Sequence, residues 1–176
     1  TVSDSIFKNN SATSTYNAYG GAIYNDGSGA TMATQILTGN VFIGNTATDR
    51  GGAVYNWWGQ QLIDESLFDG NKVVSDAYAY GGALDNYSGS SGGVQIINNS
   101  IFINNTASST YSAAYTVMGG AVSNNAGVQV ITDSQFINNG AICSNSAGGA
   151  FGGAIYIGDN ATTTLSAQYK DILFEG

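Results

Sequence analysis

Apolar and polar positions alternate along this chain in short runs, without the sustained three-to-four spacing of a helix. Val94-Gln95-Ile96-Ile97 and Ser100-Ile101-Phe102-Ile103 are typical runs. β-branched and aromatic residues fill them, and glycine, at 25 of 176 residues, is too frequent for helices. The runs recur in a fixed order. Phe-x-x-Asn begins at Phe7, Phe42, Phe68, Phe102 and Phe136, and Gly-Gly-Ala-apolar begins at Gly20, Gly51, Gly81, Gly119 and Gly152. The two phrases alternate throughout, with steps of 35, 26, 34 and 34 residues between phenylalanines. Repetition at such an interval implies stacked supersecondary units.

Aligned on Phe, five copies share a block of about a dozen columns without a gap. Five residues before Phe stand Val2, Leu37, Ile63, Ile97 and Ile131; seven before stand Gln35, Gln61, Gln95 and Gln129. All length variation falls between this block and the glycine phrase, or just after that phrase, as expected of strands joined by surface loops. Each unit offers three short strands: the glycine-phrase strand, the Gln-Ile-Ile strand and the Ser-Ile-Phe-Ile strand. Equivalent strands pairing in parallel between units make an all-β parallel β-helix, a solenoid of about five turns with three short strands per turn. Residues 1–176 then form a single repeat domain, a rod about 24 Å long.

The columns acquire physical roles in such a coil. The phenylalanines stack in the interior, and the small Gly-Gly-Ala column fits a corner. Asn10, Asn45, Asn71, Asn105 and Asn139 form an amide ladder at a turn, where Asn tolerates left-handed backbone angles. A second ladder, at Asn25, Asn56, Asn86 and Asn124, is broken by Ile157. These residues are expected to be structural.

Charge narrows the function. Four basic residues against twelve acidic ones, net −8, argue against nucleic-acid binding, whose footprint is clustered Lys and Arg. No apolar run is long enough for a membrane span, and no basic-then-apolar leader is present in this segment. The single Cys143 cannot form an internal disulfide and reads as a small interior or loop residue. No cofactor or metal is implied. Low charge and abundant Asn, Ser, Thr, Gly and Tyr suit an extracellular or cell-surface protein.

Phe42-Ile43-Gly44-Asn45-Thr46-Ala47 with Gly51-Gly52-Ala53-Val54 resembles the repeat of chlamydial polymorphic outer-membrane proteins and related autotransporter passengers. Phe102 to Ala107 with Gly119 to Val122 is a second close match. The resemblance implies a right-handed coil, secreted or displayed beyond a bacterial outer membrane and often adhesive.

An enzyme of this fold would need clustered carboxylates. Three residues before Phe stand Asp4, Gly39, Glu65, Asn99 and Asp133, and Asp171 holds the same place before Phe174. Stacked carboxylates could serve acid/base work or Ca²⁺, but Asp and Asn also favour turns, and no basic partner accompanies them. Asp64 and Glu65 are expected on opposite faces of a strand, so they form no dyad. No catalytic residue is assigned.

The variable segments are the better place for binding. Tyr16, Tyr19, Tyr78, Tyr80, Tyr111 and Tyr115 lie between the Asn ladder and the glycine phrase, and Trp57-Trp58 follows the second glycine phrase. Such rings either pack over long loops or face a ligand, a glycan or protein on a host or neighbouring cell. The segment Ser108–Val117 is expected to be a loop whose shortening spares the rod. No capping element is visible, which suggests a piece of a longer passenger or a filament subunit stacking head to tail on a second copy. The leading expectation is a non-enzymatic, adhesin-like surface passenger, with a structural filament and a carbohydrate-active enzyme as alternatives.

Overall fold

The computed structural model describes residues 1–15, 17–29, 32–88, 93–110, 115–144, 148–166 and 173–175. Their regular structure is β throughout, paired in parallel and arranged in four sheets that run along a coil. We number the repeats of the coil as rungs one to five, each containing one Phe-x-x-Asn phrase and the glycine phrase after it.

Register is set by identity. Phe7, Phe42, Phe68, Phe102 and Phe136 stand opposite one another on successive rungs. Their rings stack with centroids 4.7–4.9 Å apart and planes within 4–7°. That spacing is the distance between neighbouring strands, so one side chain per rung fills the interior without a gap. Leu37, Ile63, Ile97 and Ile131 form a second buried column, and Val54, Leu84 and Val122 a third. Burying each of these side chains contributes about 1.5–3 kcal/mol.

The corners are polar and saturated. Asn71 Oδ1 accepts from the Asn45 backbone N–H and side-chain amide, while its own Nδ2 donates to Asn105 Oδ1 and to the Phe42 carbonyl. The same pattern links Asn45 to its neighbours and carries on through Asn105 to Asn139. All four hydrogen bonds open to a buried amide are therefore made. A second ladder runs Asn25–Asn56–Asn86–Asn124 at 2.7–2.9 Å and ends where Ile157 stands opposite Asn124. Glutamines form a third, Gln35–Gln61–Gln95–Gln129, with all but Gln35 buried. The first glycine of each glycine phrase has φ between 58° and 71°. At Gly81 a Cβ would also run into the Leu84 carbonyl, which explains why this position does not vary.

The expected three strands per rung are present, but the rung contains more. Five rungs enclose four full turns, and Leu173–Glu175 adds a sixth strand to the Phe sheet. A further strand follows the Asn ladder, at Ser11–Ala12, Thr46–Ala47, Lys72–Ser75, Thr106–Ser109 and Gly140–Cys143. A short three-stranded sheet of Ala79–Tyr80, Thr116–Met118 and Gly149–Phe151 precedes the glycine phrase on rungs three to five. In rungs four and five the glycine-phrase and Gln strands run together as Val122–Thr132 and Ile155–Ser166, whereas rung two, with the same spacing as rung four, breaks between Trp57 and Gln60, where Trp58 has φ of 59°. The segment Ser108–Val117, expected to be a loop, is strand at both its described ends, within Thr106–Ser109 and Thr116–Met118. Val117 is fully buried with Val73, Ala79 and Ala107 in a second small core, against which Ala141 and Cys143 pack.

Candidate functional site

The flank between the Asn ladder and the glycine phrase is where the rungs stop resembling one another. The residues just before the glycine pair align as Tyr19, Arg50, Tyr80, Met118 and Phe151. Strand alternation turns every second residue of the glycine-phrase strand away from the core. This outward column reads Tyr24, Tyr55, Asp85, Ser123 and Tyr156. Two residues further on stand Asp26, Trp57 and Tyr87. Adjacent columns of this composition place aromatic rings around one arginine.

The rings form two groups. Tyr24 stacks on Tyr55 at 5.3 Å and on Trp57 at 6.2 Å, Tyr19 tilts against Tyr55 at 5.0 Å, and Trp57 meets Trp58 edge-on at 6.3 Å. In the second group Tyr78 lies 6.1 Å from Tyr80 and 4.9 Å, edge-on, from Tyr115. Arg50 joins them: it lies opposite Tyr19 in register, and its guanidinium sits 3.9 Å above the Tyr80 ring and 5.1 Å from that of Tyr87. Such cation–π contacts strengthen as water is excluded. One Arg50 Nη donates to Asp85 Oδ2 at 2.9 Å, with the Arg50 side chain 17% exposed and Asp85 fully buried. Asp85 Oδ1, Ser123 Oγ and the indole N–H groups of Trp57 and Trp58 are buried without a hydrogen-bond partner among the described residues. Trp58 also holds φ at 59°, a left-handed conformation that a bulky side chain adopts only at a cost.

Burial sets the electrostatics. It pushes the Asp49 carboxyl up to about 6, with Arg50 pulling it back and Asp85 pushing it further. Burial also raises the Asp85 carboxyl, against the pull of the Arg50 guanidinium. Tyr24 is pushed up to about 12, chiefly by burial and then by Asp26, and Tyr55 is raised for the same first reason. The hydroxyls therefore stay protonated across the physiological range.

Of the tyrosines singled out in the sequence, Tyr19, Tyr78, Tyr80 and Tyr115 lie on this flank together with Trp57 and Trp58. Tyr16 and Tyr111 lie outside the described residues. Tyr55, 3% exposed, packs beneath the others, whereas Tyr24 and Tyr78 remain 40% and 42% exposed. Sequence reasoning did not single out Tyr24, Tyr55, Tyr87, Asp49, Arg50 or Asp85. The available signal was positional: Arg50 stands between Tyr19 and Tyr80 in its column, and Asp85 follows Tyr24 and Tyr55 in the next. The acidic column before Phe is a turn, with Asp4, Gly39, Glu65, Asn99 and Asp133 at φ of 47°, 66°, 48°, 45° and 48°. Glu65 therefore does not share a strand with Asp64, which ends one. Among the described residues, no group of three or more His, Cys, Asp or Glu could hold a metal.

The family model of the Chlamydia polymorphic membrane protein repeat matches residues 4–26 and 41–56, the first two rungs. No curated protein and no solved structure matches the chain. The chain thus carries repeats similar to the chlamydial one on a parallel β-solenoid, a combination that fits a passenger-like protein displayed at the cell surface. Among the described residues, no helix is long and apolar enough to cross a membrane.

Proposed function

We propose that this chain is a non-enzymatic, adhesin-like passenger that holds a ligand of another cell, a glycan or a protein, on its aromatic flank. The carrying observation is the convergence of tyrosines and tryptophans from several rungs around Arg50, with Tyr24 and Tyr78 left open to solvent. Aromatic side chains with polar tips supply large contact area at low entropic cost, which suits recognition at a surface. The solenoid beneath them is stiff because its ladders are saturated, so the rings are organised before the ligand arrives.

Binding of the purified chain to whole cells, and to arrays of glycans and surface proteins, tests this reading. Tyr78→Ala and Trp57→Ala should weaken binding while leaving the β-sheet circular dichroism intact. Ile96→Ala, on the outer face of a Gln strand away from these rings, should leave it unchanged. Loss of binding in the Ile96 variant alone would move the function to the outer face of the Gln strands.

A further inference from the structure

The second rung is the short one, and register shows where its residues are missing. Ala12, Ala47 and Val73 stand opposite one another, as do Tyr19, Arg50 and Tyr80. Between these anchors rung one has residues 13–18 and rung three has residues 74–79, six apiece, whereas rung two has only Thr48 and Asp49. Backbone bonds from Asp49 N to the Ala18 carbonyl, 3.2 Å, and from Tyr80 N to the Asp49 carbonyl, 3.1 Å, close the base. Thr48 Oγ1 accepts from the Ser14 N–H and donates to the Ser14 carbonyl, so rung two runs beside rung one with four residues fewer than either neighbour. The bases of those two neighbours stand two strand spacings apart, about 9–10 Å.

We infer that the shortened second rung opens a notch in the aromatic flank that receives the terminal ring of a neutral glycan, with Asp49 and Arg50 at its floor. Tyr19 belongs to one border and the exposed Tyr78 to the other, where it stacks beside Tyr80, whose ring face is taken by Arg50. A hexopyranose has an apolar C–H face and a rim of hydroxyls. Tyrosine rings take the first, and a carboxylate beside a guanidinium takes the second by charge-assisted hydrogen bonds. Only one of the five N–H donors of Arg50 is committed to Asp85.

Charge selects among sugars. Arg50 is the only cation among these residues and is already paired, while Asp49 and Asp85 adjoin it and Asp76 lies in the rung-three border. A sialic acid or uronate would meet net negative charge. A basic peptide would be drawn to the carboxylates but would bring its own charge against Arg50 at the floor. The opening, one missing segment wide, also suits a flat ring. This inference deepens the adhesive reading and rests on it.

The test is an array of hexose-terminated neutral oligosaccharides, sialic-acid-terminated oligosaccharides and oligolysine, probed with the intact chain and three variants. These are Asp49→Ala, Tyr78→Ala and an insertion of four residues after Thr48, which brings rung two to the length of its neighbours. The expected result is binding to the neutral series, reduced about tenfold or more in each variant. The insertion adds only surface chain, so it still reports should Asp49→Ala fail to fold. Preference for the sialylated series or oligolysine overturns the notch, as does neutral binding that all three variants retain. In both cases the adhesive reading stands. An intact chain that binds neither the array nor whole cells overturns both.

Discussion

The Asn ladder and the Arg50–Asp85 flank both bury polar groups, and they do so by opposite means. In the ladder each rung repeats the last, so each interior amide, Asn45, Asn71 and Asn105, meets an identical amide one strand spacing away on either side and has no donor or acceptor left over. On the flank Tyr55 faces Asp85, Asp85 faces Ser123, and Arg50 lies between Tyr19 and Tyr80. Difference between rungs leaves Asp85 Oδ1 and two indole N–H groups unsatisfied among the described residues. Repetition is what a solenoid needs for stability. Departure from it, framed on this flank in aromatic rings, is where the proposed binding face lies.

The widest separation between the two regions should come from the columns. Phe102→Ala removes a fully buried ring from the middle of a stack and is expected to cost about 3–5 kcal/mol. Asn105→Ala strands the Asn71 backbone N–H and amide and the Phe68 carbonyl, and about 3 kcal/mol is expected once water enters the gap. Chemical denaturation of both variants measures this directly. A loss below about 1 kcal/mol at Asn105 would mean the ladder is replaceable, and the contrast drawn above would fail.

The ion pair should behave differently when taken apart and when replaced. Asp85→Ala leaves the Arg50 guanidinium largely buried without its carboxylate, at an expected cost of about 3 kcal/mol, the lower end for such pairs because Arg50 keeps some exposure and the Tyr80 ring. Replacing both, as Arg50→Met with Asp85→Leu, should bring stability back to within about 1 kcal/mol of the parent, since apolar packing commonly substitutes for a buried pair. The double variant should nonetheless lose ligand binding. Full stability with full binding would reduce the pair to scaffolding.

How much of this was legible in the sequence follows the same division. The Phe, Asn, Gln and glycine columns could be aligned without a gap, so strands, parallel register and core were readable from identity alone. The fourth sheet and the second small core were not, because 74–79, 108–117 and 142–150 differ in length and cannot be aligned on one another. Val117 looked like part of a loop for that reason. Arg50 and Asp85 are 35 residues apart, and only the inter-rung register brings them to 2.9 Å. The tyrosines were visible as a group, yet which of them lie underneath, as Tyr55 does, depends on the faces of the glycine-phrase strand, which was legible as a strand without its outward residues being assigned.

The smallest expected effect separates the flank from the columns by pH. Amides and phenyl rings do not titrate in this range, so a pH dependence localised to the flank must come from its carboxylates. Asp49 is raised from 3.8 to about 6, first by burial and then by the balance of Arg50 against Asp85. The folded chain thus holds that proton more tightly than the unfolded chain. Its contribution to stability is complete below about pH 4 and is lost as pH rises through about 6. Asp26 works in the reverse sense, since the Ser28 hydroxyl and backbone N–H hold its carboxyl down, but its contribution is lost only below pH 4. Melting temperatures taken from pH 4 to 7 should therefore decline across the window. Asp49→Asn should flatten part of that decline. A slope unchanged by Asp49→Asn would place the buried charge elsewhere on the flank, with Asp85 the next carboxylate to replace.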